Sequence, residues 1–472
     1  MKKRSFVTYW GLFVCLVISL FHSAQVFAQP KGAVCIINAD QQIVVVDEIL
    51  TGKVSLPAGT VGDNEPPQLA AQREAWEETG LVVTVGKELG RNESAVFYQC
   101  VSDSDIIAFQ HQSLSGGRVL PNWFAPHYGI EVSASRLIDP AALNPKDYRY
   151  PEQWALVQAL FSQTESQPVS YVSNLFDAAP SYSQIELKWI VSMQSWVGNL
   201  APTISQFVDS FLLTGLVFTS SWWLLLLLPA SYAYFQRDFT LKLLFTLIVA
   251  SLLVQVGQLG FAQPRPFVYL PLLEKGTGVG FSLPNLALAL WAVAVTLLLK
   301  RGGLWGWNKI AIFSVAILVW LSTALVYSAS AFVLDCFAGL LLGWLCAWHM
   351  TRLDKQIGKE SEKLFYAKGV WLLAMGASGI LLLWWQTPSL LTLAMTTTLM
   401  LIVILFAGLP ERVTLASMIR LVLLLVITWI GLEALHTQLD SSNLHSLLVE
   451  VMRWPMLVLV SVGYLKIDKT KA

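Results

Sequence analysis

The stretch GTVGDNEPPQLAAQREAWEETGL, Gly59 to Leu81, decides how the first part of the chain folds. Asn64 or Glu65 can cap a helix with Pro66 and Pro67 in its first turn, and Gly80 stands where that helix should stop. Glu74, Glu77 and Glu78 are spaced i, i+3, i+4 and share one helical face. Leu69 and Trp76 fall on roughly the opposite face, so the helix is expected to pack through them and present three carboxylates. Three such carboxylates repel one another unless a cation sits among them. Oxygen ligands suit a hard divalent ion, Mg²⁺ or Mn²⁺. Such an ion bridges phosphate oxygens and acidifies an attacking water, while a spare carboxylate takes the proton. Taken alone, the acids also fit a solvated face with Arg73 paired to Glu77.

The full pattern is tighter. Gly59 is followed by five residues and Glu65, then seven residues and Arg73-Glu74, then Glu77-Glu78 and Gly80. This resembles the Nudix box, the signature of hydrolases that cleave a diphosphate linked to another group. The resemblance implies that Glu77 and Glu78 are metal ligands, with the Gly59 carbonyl as a further one. It makes Glu74 the base or a third ligand, and Arg73 and Glu65 an ion pair tying loop to helix. It also implies an α/β/α sandwich.

The 472 residues are 55% hydrophobic and 13% charged, which points to a membrane protein long enough for two domains. The formal net charge is zero and gives no hint of a nucleic-acid partner. The composition divides the chain into five regions. Residues 1–28 read as a secretory signal: Lys2, Lys3 and Arg4, then an apolar core from Leu12 to Phe21, then Val26-Phe27-Ala28. An uncleaved anchor is the rival, and both readings export the next domain.

Residues 29–162 carry the box. Strands are expected at 33–37, 42–46, 81–85, 95–101, 106–109 and 130–133, with a closing helix at 152–161. Residues 110–128 form a loop, rich in Gly and Pro, whose Trp123, Phe124, His127 and Tyr128 either stack on a substrate or fill the core. Asp103, Asp105 and Glu131 are additional acids that no motif selects. Cys35 and Cys100 either pair or remain two buried thiols. Residues 163–204 read as an unpatterned linker plus an interfacial helix with Trp189 and Trp196 at the membrane surface.

Residues 205–352 and 353–472 hold apolar segments, about nine spans in all, so the second half is expected to be an all-α polytopic bundle. Alternate loops carry Arg237; Lys300, Arg301 and Lys309; Arg352, Lys355, Lys359 and Lys363; Arg412 and Arg420; and the tail Lys466, Lys469 and Lys471. The other loops hold mainly Arg265 and Lys275. By the positive-inside rule this places the box domain in the periplasm of a bacterial inner membrane and the C-terminus in the cytoplasm.

Within 205–352, Gln263-Pro-Arg265-Pro, Ser282-Leu-Pro284-Asn285, Val326-Tyr327 and Asp335 through Gly339 come in an order similar to type-2 phosphatidic acid phosphatases. The departures fall on the chemistry. Gln258 replaces the Lys, and Asn285-Leu286-Ala287 replaces Ser-Gly-His. Ala324-Leu325 replaces Ser-Arg, and Ala331 replaces the nucleophilic His. An alanine cannot act as a phosphorus nucleophile, so this half is expected to be phosphatase-like in fold and inactive. Arg265 either binds a lipid phosphate or snorkels, and Asp335 is either a vestigial site residue or a structural partner.

The leading expectation is a membrane-tethered hydrolase acting on a nucleoside diphosphate linked to another group, or on a lipid diphosphate. Its partners are then that substrate and membrane lipids, with no nucleic-acid polymer. The rival readings are a lipid phosphatase for phosphatidic acid or polyprenyl diphosphate, and a non-enzymatic lipid-binding scaffold.

Overall fold

A computed structural model describes residues 32–113, 116–276, 278–358 and 361–469. The expected signal, 1–28, lies outside them. The first domain is organised by alternation along strand β1 (Gly32–Ile36). Ala33 and Cys35 join a core with Ala70, Ala71 and Ala75 of helix α1 (Pro67–Thr79). Val34 and Ile36 join a second core with Trp154, Val157 and Leu160 of helix α2 (Trp154–Phe161). The period-2 pleat thus sends alternate side chains to helices on opposite faces.

Strand β1 lies between β5 (Ala58–Thr60) and β7 (Ala95–Ser102), and β6 (Val83–Arg91) pairs with β7 beyond it. Only the β1–β7 pairing in this sheet is parallel. The second sheet runs β2 (Asn38–Ala39), β3 (Gln42–Glu48), β10 (Val132–Ile138), β9 (Arg118–Leu120), with β4 (Val54–Ser55) on β3. Cys35 and Cys100, which the sequence leaves either paired or free, are joined as a disulfide.

Three expectations need correction. Helix α1 packs through its small residues, Ala70, Ala71 and Ala75, while Leu69 is 53% and Trp76 39% exposed. The alanine face wins because α1 lies close against β1, β5 and β6, where large side chains do not fit. Neither Asn64 nor Glu65 caps α1: Pro66 is the N-cap residue and makes no side-chain bond, because Glu65 is held by Arg73. The C-terminus stops as expected, with Gly80 at φ 73°. Lastly, 163–172 is no free linker. Strand β11 (Val169–Val172) pairs in parallel with β8 (Ile106–Phe109) and completes the first domain.

Helices α3 (Ser181–Gly198) and α4 (Pro202–Val217) come next, with Trp189 and Trp196 both exposed. The bundle proper comprises α5 (Leu224–Phe261), the short α6 (Pro266–Tyr269), α7 (Leu286–Arg301), α8 (Lys309–Tyr327), α9 (Val333–Ile357), α10 (Lys368–Trp384), α11 (Pro388–Phe406), α12 (Leu415–Gln438) and α13 (Asn443–Lys469). Among the described residues, six helices are long and apolar enough to cross a membrane, against about nine expected. The difference lies in three segments. The stretch Ser221–Phe261 counts as one span although α5 bends within it, and α7 and α10 are only 16 and 17 residues long. Helix α5 is not straight. Gln236 has φ 71° and ψ 175°, and the Ser231 and Thr240 hydroxyls stand 3.0 Å apart. Nine residues of continuous helix would separate them by about 13 Å, so the chain doubles back at Gln236.

The first domain sits on one end of the bundle. The Leu50 carbonyl contacts His436 Nε2 at 2.7 Å, Lys53 pairs with Asp440 at 3.1 Å, Trp123 packs on Tyr269, and Tyr128 packs on Phe281. A Cβ added to Gly129 would come within 2.7 Å of the Gly280 backbone, so two glycines let the halves meet backbone to backbone.

Candidate active site

Helix α1 delivers the acids. Arg73 is their hub. Its Nε donates to Glu65 Oε1 at 3.1 Å, and its Nη1 donates to Glu74 Oε1 at 2.6 Å and Glu77 Oε2 at 2.8 Å. Glu65 also accepts from the Gly62 amide at 2.8 Å, so the loop before α1 is tied to its middle. The Arg73 guanidinium holds the Glu65 carboxyl below its usual range, and these same bonds raise the pKa of Arg73.

Glu74 and Glu78 are buried, each 6% exposed. Burial pushes the Glu74 carboxyl up, opposed by Arg73 and reinforced by Glu77. Burial pushes Glu78 well up too; the Ala58 amide, donating to its Oε2 at 3.0 Å, opposes this, and the neighbouring Glu74, Glu48 and Glu131 add to it. Gly59 lies in β5 directly against Glu74, where any Cβ would overlap the carboxylate.

A loop residue completes the cluster. One ligand atom from each of Glu74, Glu77 and His127 lies within 4.8 Å of the others. The His127 amide donates to the Glu77 carbonyl at 2.8 Å, which pins the loop to α1. Its buried Nδ1 has no hydrogen-bond partner and stands 3.4 Å from a Glu131 carboxylate oxygen. Oxygen donors with one imidazole, carboxyls crowded into a buried site, and a glycine where a side chain would collide all fit a divalent ion.

Sequence spacing does not assign His127 to the acids, because it lies fifty residues beyond Glu77 and obeys no local pattern. The signal available is its place in a Gly- and Pro-rich loop with Glu131 four residues on. Of the unassigned acids, Glu131 joins the site, whereas Asp103 bonds Thr84 at 2.7 Å on the strands. The loop aromatics do not line the acid cavity: Trp123 and Tyr128 dock the bundle, and Phe124 lies near Trp76 with half its surface exposed.

The acids face a cavity of about 770 Å³ lined by Gly59, Arg73, Glu74, Glu78, His127 and Glu131. Its opposite wall belongs to the bundle: Gln386, Thr387, Pro388 and Leu391 on one side, Asn443, Leu444 and Leu447 on the other.

Arg265, Asp335, Ala331 and Gln258, the positions that the sequence sets against phosphatase motifs, lie at this same end of the bundle. Arg265 donates to the carbonyls of Val279, Phe281 and Ser330. Asp335 accepts from Ser282 Oγ at 2.5 Å and from the Phe332 amide at 2.7 Å, at the N-terminus of α9. Ala331 is fully buried, and Gln258 donates to the Pro284 carbonyl.

Residues 29–160 match the description of the NUDIX domain. Nudix hydrolase 25 of Arabidopsis thaliana is 40% identical over 55 residues, which are 11% of this chain and 31% of that protein. The chain therefore spans about a third of the length of that relative. Among solved structures, an ADP-ribose pyrophosphatase from Streptococcus suis is similar at 21% identity and a TM-score of 0.22, over 30% of this chain and 99% of that one. A Nudix hydrolase from Nitrosomonas europaea is similar at 16% identity and a TM-score of 0.22, over 31% and 82%. A UDP-X diphosphatase is similar at 16% identity and a TM-score of 0.21, over 33% and 73%. Residues 29–160 are a Nudix domain, and after it comes a helical region with membrane-spanning character.

Proposed function

We propose that this Nudix domain is a divalent-metal-dependent phosphoanhydride hydrolase, held at the outer face of a membrane by the helical bundle. The observation that carries the reading is the convergence of Glu74, Glu77 and His127, two of which, Glu74 and His127, line one cavity with buried Glu78. Glu77 and Glu78, with the Gly59 carbonyl, would hold the ion, and His127 adds an imidazole to that set. When bound, Mg²⁺ or Mn²⁺ neutralises phosphate oxygens and acidifies a water. Glu74 accepts the proton of the attacking water, and Arg73, anchored by Glu65, holds that carboxylate in place. The water oxygen bonds to one phosphorus as the bridging P–O bond breaks, its electron pair leaving with the other phosphate.

Two observations support export. The loops that carry the first domain are those poor in Lys and Arg, the end that the positive-inside rule puts outside. The Cys35–Cys100 disulfide suits an oxidising compartment. The phosphatase-like motifs supply no second reading, since Arg265 is engaged by carbonyls and an alanine stands at the nucleophile position.

The test uses the full-length protein in detergent with Mg²⁺ and a panel of nucleotide, sugar-nucleotide and alkyl diphosphates. Diphosphate cleavage is expected, abolished in Glu77→Gln/Glu78→Gln and lowered in kcat about 10²–10⁴-fold in Glu74→Gln. Turnover unchanged in the double variant would sink the reading.

A further inference from the structure

The acid cavity adjoins a second, larger one. That cavity, about 970 Å³, lies among the helices of the bundle. Leu50, Ile130, Thr387 and Pro388 line both. Along α11 the second cavity is lined from Thr387 to Val403, and along α13 from Glu450 to Leu465. At 1.5 Å per residue each wall runs more than about 20 Å away from the acids, most of the depth of a bilayer's hydrocarbon core. The side chains along it are largely apolar, among them Leu244, Leu393, Met400, Leu421, Leu457 and Val458. Two of the polar residues that line it, Arg265 and His436, are tied to its end at the first domain. Arg265 holds the carbonyl of Phe281, whose ring packs on Tyr128, and His436 meets the Leu50 carbonyl.

A long apolar slot joined at one end to an acid, metal-suited site has one obvious occupant. We infer that the substrate is an amphiphile, a diphosphate carried on a hydrocarbon chain, with the diphosphate among Glu74, Glu78 and His127 and the chain between α5 and the helices α11, α12 and α13. This rests on the hydrolase reading above and narrows its substrate class. Hydrolysis then adds one water across the bridging P–O bond, leaving an alkyl monophosphate and orthophosphate. One proton of the water stays on product and the other passes through the carboxylate to solvent. The chain supplies position: its burial in the slot fixes where the bridging bond lies relative to Glu74.

The experiment takes the full chain in lipid nanodiscs with Mg²⁺ and a ladder of linear alkyl diphosphates from methyl to dodecyl. The expected result is a kcat/KM rising at least about tenfold from methyl to dodecyl, as added methylenes find apolar walls. Leu421→Trp and Val458→Trp, which fill the slot, are expected to lower the dodecyl-to-methyl ratio about tenfold. In parallel, a dodecyl diphosphate with a diazirine near the chain end is photolysed on the unaltered protein and on Glu77→Gln/Glu78→Gln, and the labelled peptides are mapped. Labels on α11 to α13 that unlabelled dodecyl diphosphate displaces support the inference, even if a tryptophan variant fails to fold. Turnover that ignores chain length overturns it and leaves the hydrolase reading standing. Labelling that only plain bilayer lipid displaces also overturns it, by making the slot a site for structural lipid. Absent turnover with displaceable labelling in the slot would sink the hydrolase reading and keep the binding site.

Discussion

At the scale of single residues, one nitrogen of Arg73, Nη1, bridges Glu74 and Glu77 while its Nε holds Glu65, so the helix acids and the preceding loop share one guanidinium. The buried acids give a pH signature. Glu74 and Glu78 have carboxyls raised above their ordinary value of 4.5. A raised carboxyl stabilises the fold below its unfolded pKa, and that stabilisation is lost as pH rises through the folded value. The metal-free protein is therefore expected to melt at lower temperature as pH rises above the ordinary carboxyl value of 4.5, and Mg²⁺ should offset the loss. Scanning calorimetry in chelator checks this; a melting temperature that climbs with pH would contradict the crowding. Gly59→Ala is expected to weaken Mn²⁺ binding at least about tenfold, read by electron paramagnetic resonance, because its Cβ would displace Glu74. Wild-type affinity in that variant would remove Gly59 from the site.

At the scale of elements, local spacing is a good guide and distant pairing is not. Gly59, Glu65, Arg73 and the three glutamates all lie within one loop and helix, so their register is legible from the sequence. His127 reaches the site only because the loop folds back to give its amide to Glu77, and no neighbouring residue announces that. Strand β11 is a four-residue segment whose partner, β8, lies sixty residues earlier, and its Ser and Tyr give no clear alternation. Leu69 and Trp76 mislead because hydrophobicity is a poor packing signal where closeness to the sheets favours alanine. Two stability effects can be measured. Cys35→Ser/Cys100→Ser is expected to cost the first domain about 2–5 kcal/mol, measured by denaturant melts of the first domain's signal. A fragment ending at residue 162 leaves the β8 edge unpaired and is expected to aggregate, whereas one ending past Val172 should remain monodisperse by size exclusion.

At the scale of the whole molecule, orientation is the decisive expectation. Cys336 and Cys346 are buried, which leaves engineered thiols easy to read. Lys87→Cys, on an exposed stretch of β6, should react with a membrane-impermeant maleimide in intact cells. Lys355→Cys, at the opposite end of the bundle, should react only after permeabilisation, and the reverse pattern would place the hydrolase inside. Docking can be tested at the glycine contact. Gly280→Val is expected to push the halves apart and break the Lys53–Asp440 contact, read as faster hydrogen exchange around Leu50 and His436. A further consequence concerns biosynthesis. Domains fold as they leave the ribosome, N-terminal part first. All the acids lie before residue 132, while the wall that closes over them comes from Gln386–Leu391 and Asn443–Leu447, among the last parts made. For the hydrolase proposed above, a nascent or truncated chain would therefore carry the acid cluster without its bundle wall, open to soluble diphosphates, and selection among substrates would come only with the final helices.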